Sequence, residues 1–202
     1  MSRFLAALAL PALLAGCAHQ IVITPDVTQL EAKDVQPIDR NVGYVITPAD
    51  REKVVTTPGG GGDKVSYKPY AELEPALFKV LSNVFRRAYA MGAANDQALI
   101  QAKEISLVLV PVITTDSSSD GVFTWPPTSF TVDVSCKVLD RDGKLVWEKR
   151  VVGQGAATFD EFKTDLPLAA RRASLKAMSE LQKELNAAPA LRTPVAVAPA
   201  VN

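Results

Sequence analysis

Residues 130–153 read FTVDVSCKVLDRDGKLVWEKRVVG. Phe130, Val132, Val134, Cys136 and Val138 alternate with Thr131, Asp133, Ser135 and Lys137. That alternation is the signature of a strand with one buried face and one wet face. Asp142-Gly143 follows, a dipeptide suited to a tight hairpin. The return strand runs from Lys144 to about Gly153, with Leu145 and Trp147 on one face and Glu148 and Arg150 on the other; Gly153 and Gly155 close it. An antiparallel hairpin with one apolar face needs a covering layer, so the rest of the chain must supply helices.

Two stretches do so. From Pro69 to Met91, Leu73, Leu77, Val80, Leu81, Val84, Phe85 and Ala88 recur at three-to-four spacing, and Gly92 marks a stop. From Leu166 to Leu185 the stripe is Leu168, Leu175, Met178, Leu181 and Leu185, helped by Ala169 and Ala177. Between them Ile105–Thr114, ISLVLVPVIT, is too apolar for a half-wet strand, so it reads as a central strand covered on both faces, with a bulge or an edge at Pro111. Short strands are expected at Asn41–Thr47 and Lys53–Thr57, and a helical turn within Asn95–Lys103. The order β, α, β, β-hairpin, α gives an α+β class: a two-layer sandwich of a mainly antiparallel sheet, about four or five strands, under two long amphipathic helices.

The amino terminus reads as an address. MSRFLAALALPALL places one basic residue, Arg3, before an apolar run too short to cross a bilayer, which takes about 20 residues. Leu14-Ala15-Gly16-Cys17 follows. This resembles the lipobox of bacterial lipoproteins, in which the signal is cut before the cysteine and lipid is attached to its sulfur and amine. The resemblance implies acylation of Cys17, and Ala18, where aspartate favours inner-membrane retention, points to the outer membrane with the domain in the periplasm. The expected organisation is a signal peptide over 1–16, a lipidated tether over 17–40, one domain over 41–186, and a disordered Ala/Pro/Val-rich tail over 187–202. The lipobox, the size and the element order also resemble small Gram-negative envelope lipoproteins of the YajG type, and more loosely the TolB amino-terminal domain and curli-secretion lipoproteins. No functional residue is carried over from them.

Composition excludes several chemistries. The 22 basic and 22 acidic side chains balance, so no global field draws the chain to nucleic acid. One histidine, His19, lies beside Cys17 and cannot serve a base-catalysed site built in the domain. With Cys17 acylated, Cys136 has no intrachain partner and is expected to face the core. Gly59–Lys64 fails as a phosphate loop because Asp63 separates the last glycine from Lys64, so no nucleotide is expected. Asp116–Gly121 lacks the spacing and the distal glutamate of a calcium loop. Neither a metal nor a cofactor is implied. Glu148, Asp160, Glu161, Asp165, Arg86-Arg87 and Arg171-Arg172 read as surface charge, the arginine pairs being placed on the two helices.

One stretch is unexplained by the core. Phe123, Trp125, Pro126 and Pro127 lie where a loop is normally polar. Buried, they would plug one end of the sheet; exposed, they would form a rigid apolar contact for a partner. The function these features support is a non-enzymatic, membrane-anchored accessory or scaffold binding an envelope protein. The alternative is a carrier or sensor of a small envelope ligand, such as a lipid or peptidoglycan fragment. A hydrolase ranks third.

Overall fold

The computed structural model describes residues 18–31, 35–119 and 126–193. In chain order the elements are β1 His19–Gln20, β2 Ile38–Val45, α1 Pro48–Glu52, β3 Val55–Pro58, β4 Lys64–Tyr67, α2 Pro69–Val84, β5 Phe85–Met91, α3 Gln97–Ala102, β6 Ile105–Ser118, β7 Ser129–Asp140, β8 Leu145–Ala156, α4 Phe159–Phe162 and α5 Leu168–Ala187. Two single 3-10 turns add Val27–Gln29 and Pro189–Leu191.

A five-stranded sheet has the order β5-β2-β6-β7-β8, and a three-stranded sheet has the order β1-β4-β3. The β6–β7–β8 meander is antiparallel throughout, whereas β2 runs parallel to both β5 and β6. The α+β two-layer architecture is therefore as the sequence predicts, with a mixed larger sheet. On β7, Phe130, Val132, Val134, Cys136 and Val138 are all fully buried, as their alternation requires. Burial pushes the Cys136 thiol up to about 12, so it stays protonated at neutral pH.

The main core lies between the larger sheet and α2 and α5. It contains Leu73, Leu77, Val80, Leu81 and Val84 from α2, Leu107 and Leu109 from β6, and Met178, Leu181 and Leu185 from α5. Each fully buried leucine stabilises the fold by about 1.5–3 kcal/mol relative to exposure. The other face of β6 is covered where Ile105 and Val108 join Met91 and Ile100 of α3 in a smaller cluster. Pro111 falls beyond Leu109, the last β6 residue paired with β2. Ile113, two positions on, sends its N–H to Tyr70 Oη at 3.1 Å rather than to a strand. The Pro111 nitrogen points the same way, so its missing proton breaks no ladder.

Several expectations are corrected. The helix predicted to reach Met91 ends at Val84, and Phe85–Met91 becomes β5. The open edge of β2 takes Arg87–Met91 in parallel register, and this tertiary pairing overrides the helical propensity of the segment. Arg86 and Arg87 thus lie on a strand. The expected tether is packed wherever it is described. Ile21, Ile23, Leu30 and Ile38 are buried, and β1 pairs with β4. Ile21 and Ile23 make a single alternation about exposed Val22, and Leu30 stands alone, so no sustained period marks the segment, yet each fills the core. The start of the expected tail is ordered too: Ala187 ends α5 and Leu191 is buried, whereas residues 194–202 lie outside the described residues. Gly59–Asp63 is the turn of the β3–β4 hairpin, closed by Gly59 N–H to Asp63 O at 2.9 Å, with Gly61 and Gly62 at φ 65° and 86°.

Gly153 and Gly155 do not end the return strand; β8 continues to Ala156. They serve as the seat of α5. A Cβ on Gly153 would stand 2.1 Å from the Ala173 carbonyl oxygen and 2.4 Å from Ala177 N; one on Gly155 would stand 2.1 Å from Ala169 O. Helix backbone therefore rests directly on strand backbone. Gly153→Ala is expected to force α5 off the sheet and destabilise the domain by about 1–3 kcal/mol, the range for overpacking a close-packed contact, as read from urea unfolding.

Candidate functional site

The described residue nearest the lipobox, Ala18, leads straight into β1. His19 and Gln20 pair with Val65 and Ser66 of β4, and Ile21 N–H adds a bond to Ser66 O at 3.0 Å. His19 Nε2 lies 3.5 Å from Asp63 Oδ2 at the β3–β4 turn. Cys17 itself lies outside the described residues, but its neighbour is held at this corner of the small sheet.

A chain of hydroxyls fastens the small sheet to the far end of β6. Tyr67 Oη donates to Thr115 Oγ1 at 2.7 Å, which leaves Thr57 to donate to Tyr67 across 3.2 Å. Ser117 Oγ in turn sits 2.6 Å from Thr57 Oγ1 and 2.5 Å from the Pro58 carbonyl, sharing its single proton between them. Tyr67 is buried and its ring packs on Phe130 with centroids 5.3 Å apart. The loop that follows β6 therefore leaves the sheet beside the β3–β4 turn, at the same end as the amino terminus.

That loop carries the aromatic and proline residues. Phe123 and Trp125 lie outside the described residues. Pro126 and Pro127 are buried. These two thus lie inside the fold at the entry to β7. A proline pair has no N–H to satisfy, so it can be buried at a strand entry without stranding a donor.

The charged groups are mostly matched. Arg86 sits 3.2 Å from Asp39 and also donates to Asn41 Oδ1. Arg171 pairs with Asp165, and Arg172 with Glu161 at 2.7 Å. The Arg172 guanidinium, and then the Thr158 hydroxyl and N–H, hold the Glu161 carboxyl at about 2. A general acid needs its pKa raised toward neutrality, so Glu161 is shifted the wrong way for that work. Arg51 grips Glu74 through two bonds of 2.6 Å, and Tyr44 Oη donates to the same carboxylate. Burial, then the Glu74 charge, pushes Tyr44 up to about 12. This trio staples α1 to α2 and the sheet. No three His, Cys, Asp or Glu side chains cluster as metal ligands among the described residues. No described helix is long and apolar enough to cross a membrane.

No family model and no curated protein sequence matches the chain. Among solved structures it is similar to a Xanthomonas campestris protein of the DUF330 family, at 11% identity and TM-score 0.44, covering 84% of this chain and 90% of that one. It is similar to a minor lipoprotein from Acinetobacter baumannii at 11% identity and TM-score 0.42, covering 73% of this chain and 93% of that one. It is also similar to the PelC dodecamer from Paraburkholderia phytofirmans, at 15% identity and TM-score 0.41, covering 73% of this chain and 91% of that one.

The hydroxyl chain makes a direct test of how the amino-terminal corner is held. Tyr67→Phe keeps the ring against Phe130 but leaves Thr57 without its acceptor. Urea unfolding is expected to show a loss of about 1–3 kcal/mol, the cost of stranding a buried polar partner.

Proposed function

We propose that this chain is a bacterial envelope lipoprotein, anchored by lipid on Cys17, whose domain serves as a non-enzymatic accessory or scaffold. The observation that carries the reading is the sequence Leu14-Ala15-Gly16-Cys17 behind a short apolar run. The order of the following residues adds to it. Only Ala18 separates the cysteine from β1. Acyl chains on Cys17 would hold the small-sheet corner against the bilayer, without the slack that a flexible tether of residues 17–40 would have given. Two or more acyl chains make such an anchor stable where one alone is marginal. Ala18 favours the outer membrane, with the domain in the periplasm.

The scaffold reading rests on how the charges and the interior are used. The space between sheet and helices is filled by side chains with no accessible surface, such as Leu73, Leu107 and Leu181. An accessory would therefore bind through its surface, and the loop carrying Phe123 and Trp125 is the contact proposed for an envelope protein.

Cell fractionation and crosslinking test both parts. Cys17→Ala is expected to move the protein out of the membrane fraction; retention there would overturn the anchor. In cells, crosslinking of the anchored protein is expected to capture a defined envelope protein, and Trp125→Ala to lose it while the domain stays folded. Capture that Trp125→Ala leaves unchanged removes the aromatic contact.

A further inference from the structure

We propose that the cavity at the amino-terminal ends of β2 and β6, walled by Arg40, Arg141 and Arg192, binds an oxyanion: a phosphate or carboxylate group on an envelope component. The cavity measures about 440 Å³ and is completed by Pro37, Ile38, Asp39 and Ser106. That is within the range of about 300–1,000 Å³ usual for small-molecule sites.

Arg40 is the centre of the argument. It is only 9% exposed, and all its bonds go to neutral atoms. Its Nε donates to Ser106 Oγ at 2.9 Å and its Nη2 to Ser106 O at 3.1 Å, while Nη1 reaches the carbonyls of Leu191 and Thr193 at 3.4 and 3.3 Å. A buried guanidinium ordinarily has a carboxylate beside it, because removing a charge from water is costly unless a counter-charge compensates. Here Asp140 supplies a counter-charge at a distance, but no carboxylate bonds Arg40 directly among the described residues. Asp39 lines the cavity but sits 3.2 Å from Arg86. Asp140 acts on Arg40 electrostatically, yet its Oδ1 accepts the backbone N–H groups of Asp142 and Lys144 at 3.0 and 2.9 Å.

The other two arginines add positive charge to the same wall. Burial, and then the charge of Arg141, push the Arg40 guanidinium below its ordinary value, with the Asp140 charge acting the other way. Arg192 is positioned by neutral groups, the carbonyls of Gln36 at 3.3 Å and Asn186 at 3.4 Å. None of the three arginines forms an ion pair among the described residues. A guanidinium is a planar fork of donors matched to carboxylate and phosphate oxygens; Arg141 and Arg192 keep donors for such a group, and Arg40, with four of its five N–H groups held by the protein, adds its charge and one remaining donor. Pro37 and Ile38 supply an apolar wall for the body that carries the oxyanion.

The site's position narrows the source. Ser106 at the cavity and Ser117 at the anchor corner are both on β6, and eleven residues of strand span about 35 Å. With the proposed anchor at Cys17, headgroups of the same membrane would lie out of reach, and the oxyanion would come from solution, the cell wall or an opposing surface. This inference does not depend on the anchor: a failed Cys17 test would leave it standing.

The test uses the full mature chain in detergent micelles, with inorganic phosphate and acetate as probes against chloride at matched ionic strength. Phosphate or acetate is expected to raise the thermal midpoint and to bind measurably by calorimetry. Arg141→Gln and Arg192→Gln lie on the exposed rim and should fold normally. Each is expected to weaken binding about tenfold, as loss of one charge-assisted bond predicts. Lys64→Gln, at the far end of the domain, should change nothing. Vesicles containing phosphatidylglycerol, mixed with the unacylated Cys17→Ala chain so that binding does not run through the anchor, form a second arm. Binding there that both arginine variants abolish supports the site and identifies a lipid phosphate as its source. Absence of any effect beyond chloride, or an equal loss in Lys64→Gln, overturns the proposal.

Discussion

The close approach of α5 to β8 governs the architecture. Side chains normally hold a helix about 10 Å from a sheet. At Gly153 and Gly155 there is no side chain on the strand, and the facing helix positions are Ala169, Ala173 and Ala177. With helix and strand backbones in contact, one edge of the helical layer is lowered onto the sheet. Leu73, Leu77 and Leu81 of α2 fill the core under the other long helix. Ser174, beside Ala173, shows how far smallness outranks polarity at this seam. Its hydroxyl is buried with no hydrogen-bond partner, the one such side-chain atom among the described residues. A small residue is tolerated there at the cost of an unsatisfied group, which is typically about 1–3 kcal/mol.

The domain has two chemically distinct ends, set by the direction of β6. One end gathers the amino terminus, the β3–β4 turn and the hydroxyl chain from Ser117 to Thr115. The other gathers Arg40 and Arg192, bonded to neutral groups, with Arg141 beside them. A strand long enough to span the whole sheet, Ile105–Ser118, joins them. If the first end faces a bilayer, the second is presented away from it, as the geometry of a spacer between a membrane and an oxyanion-bearing component requires.

Much of this was legible in the residue pattern, for identifiable reasons. Phe130 to Val138 announces its face because each side chain is buried in the same direction. The helices announce theirs through Leu73, Leu77 and Leu81, and through Met178, Leu181 and Leu185. What failed to show depends on distant partners. Phe85–Met91 has helical composition and becomes a strand only because β2 offers an edge. Ile21 and Ile23 form only one step of alternation and Leu30 stands alone in a proline-bearing stretch, so no sustained period marks them as core. The role of Gly153 and Gly155 requires knowing which helix lies above them. Arg40 was invisible for the same reason: in the chain it is one charge after Asp39, and only folding buries it among Ser106, Leu191 and Thr193.

The position of β2 in the sheet has a consequence for the order of assembly. Its two neighbours, β5 and β6, both follow it in the chain, and Asn41 finds its partner Ile105 only after the intervening loops and helices have been made. The β6–β7–β8 meander, in contrast, closes through local turns. Closure entropy favours the local pairs first. A chain emerging amino terminus first can close the β3–β4 hairpin early, but β2 stays without its second neighbour until residues near Ile105 appear, and it is inserted into a sheet built largely from what comes after it. During that interval Ile21, Ile23 and Ile38 are exposed, so the leading segment is where a chaperone would hold the unfinished chain.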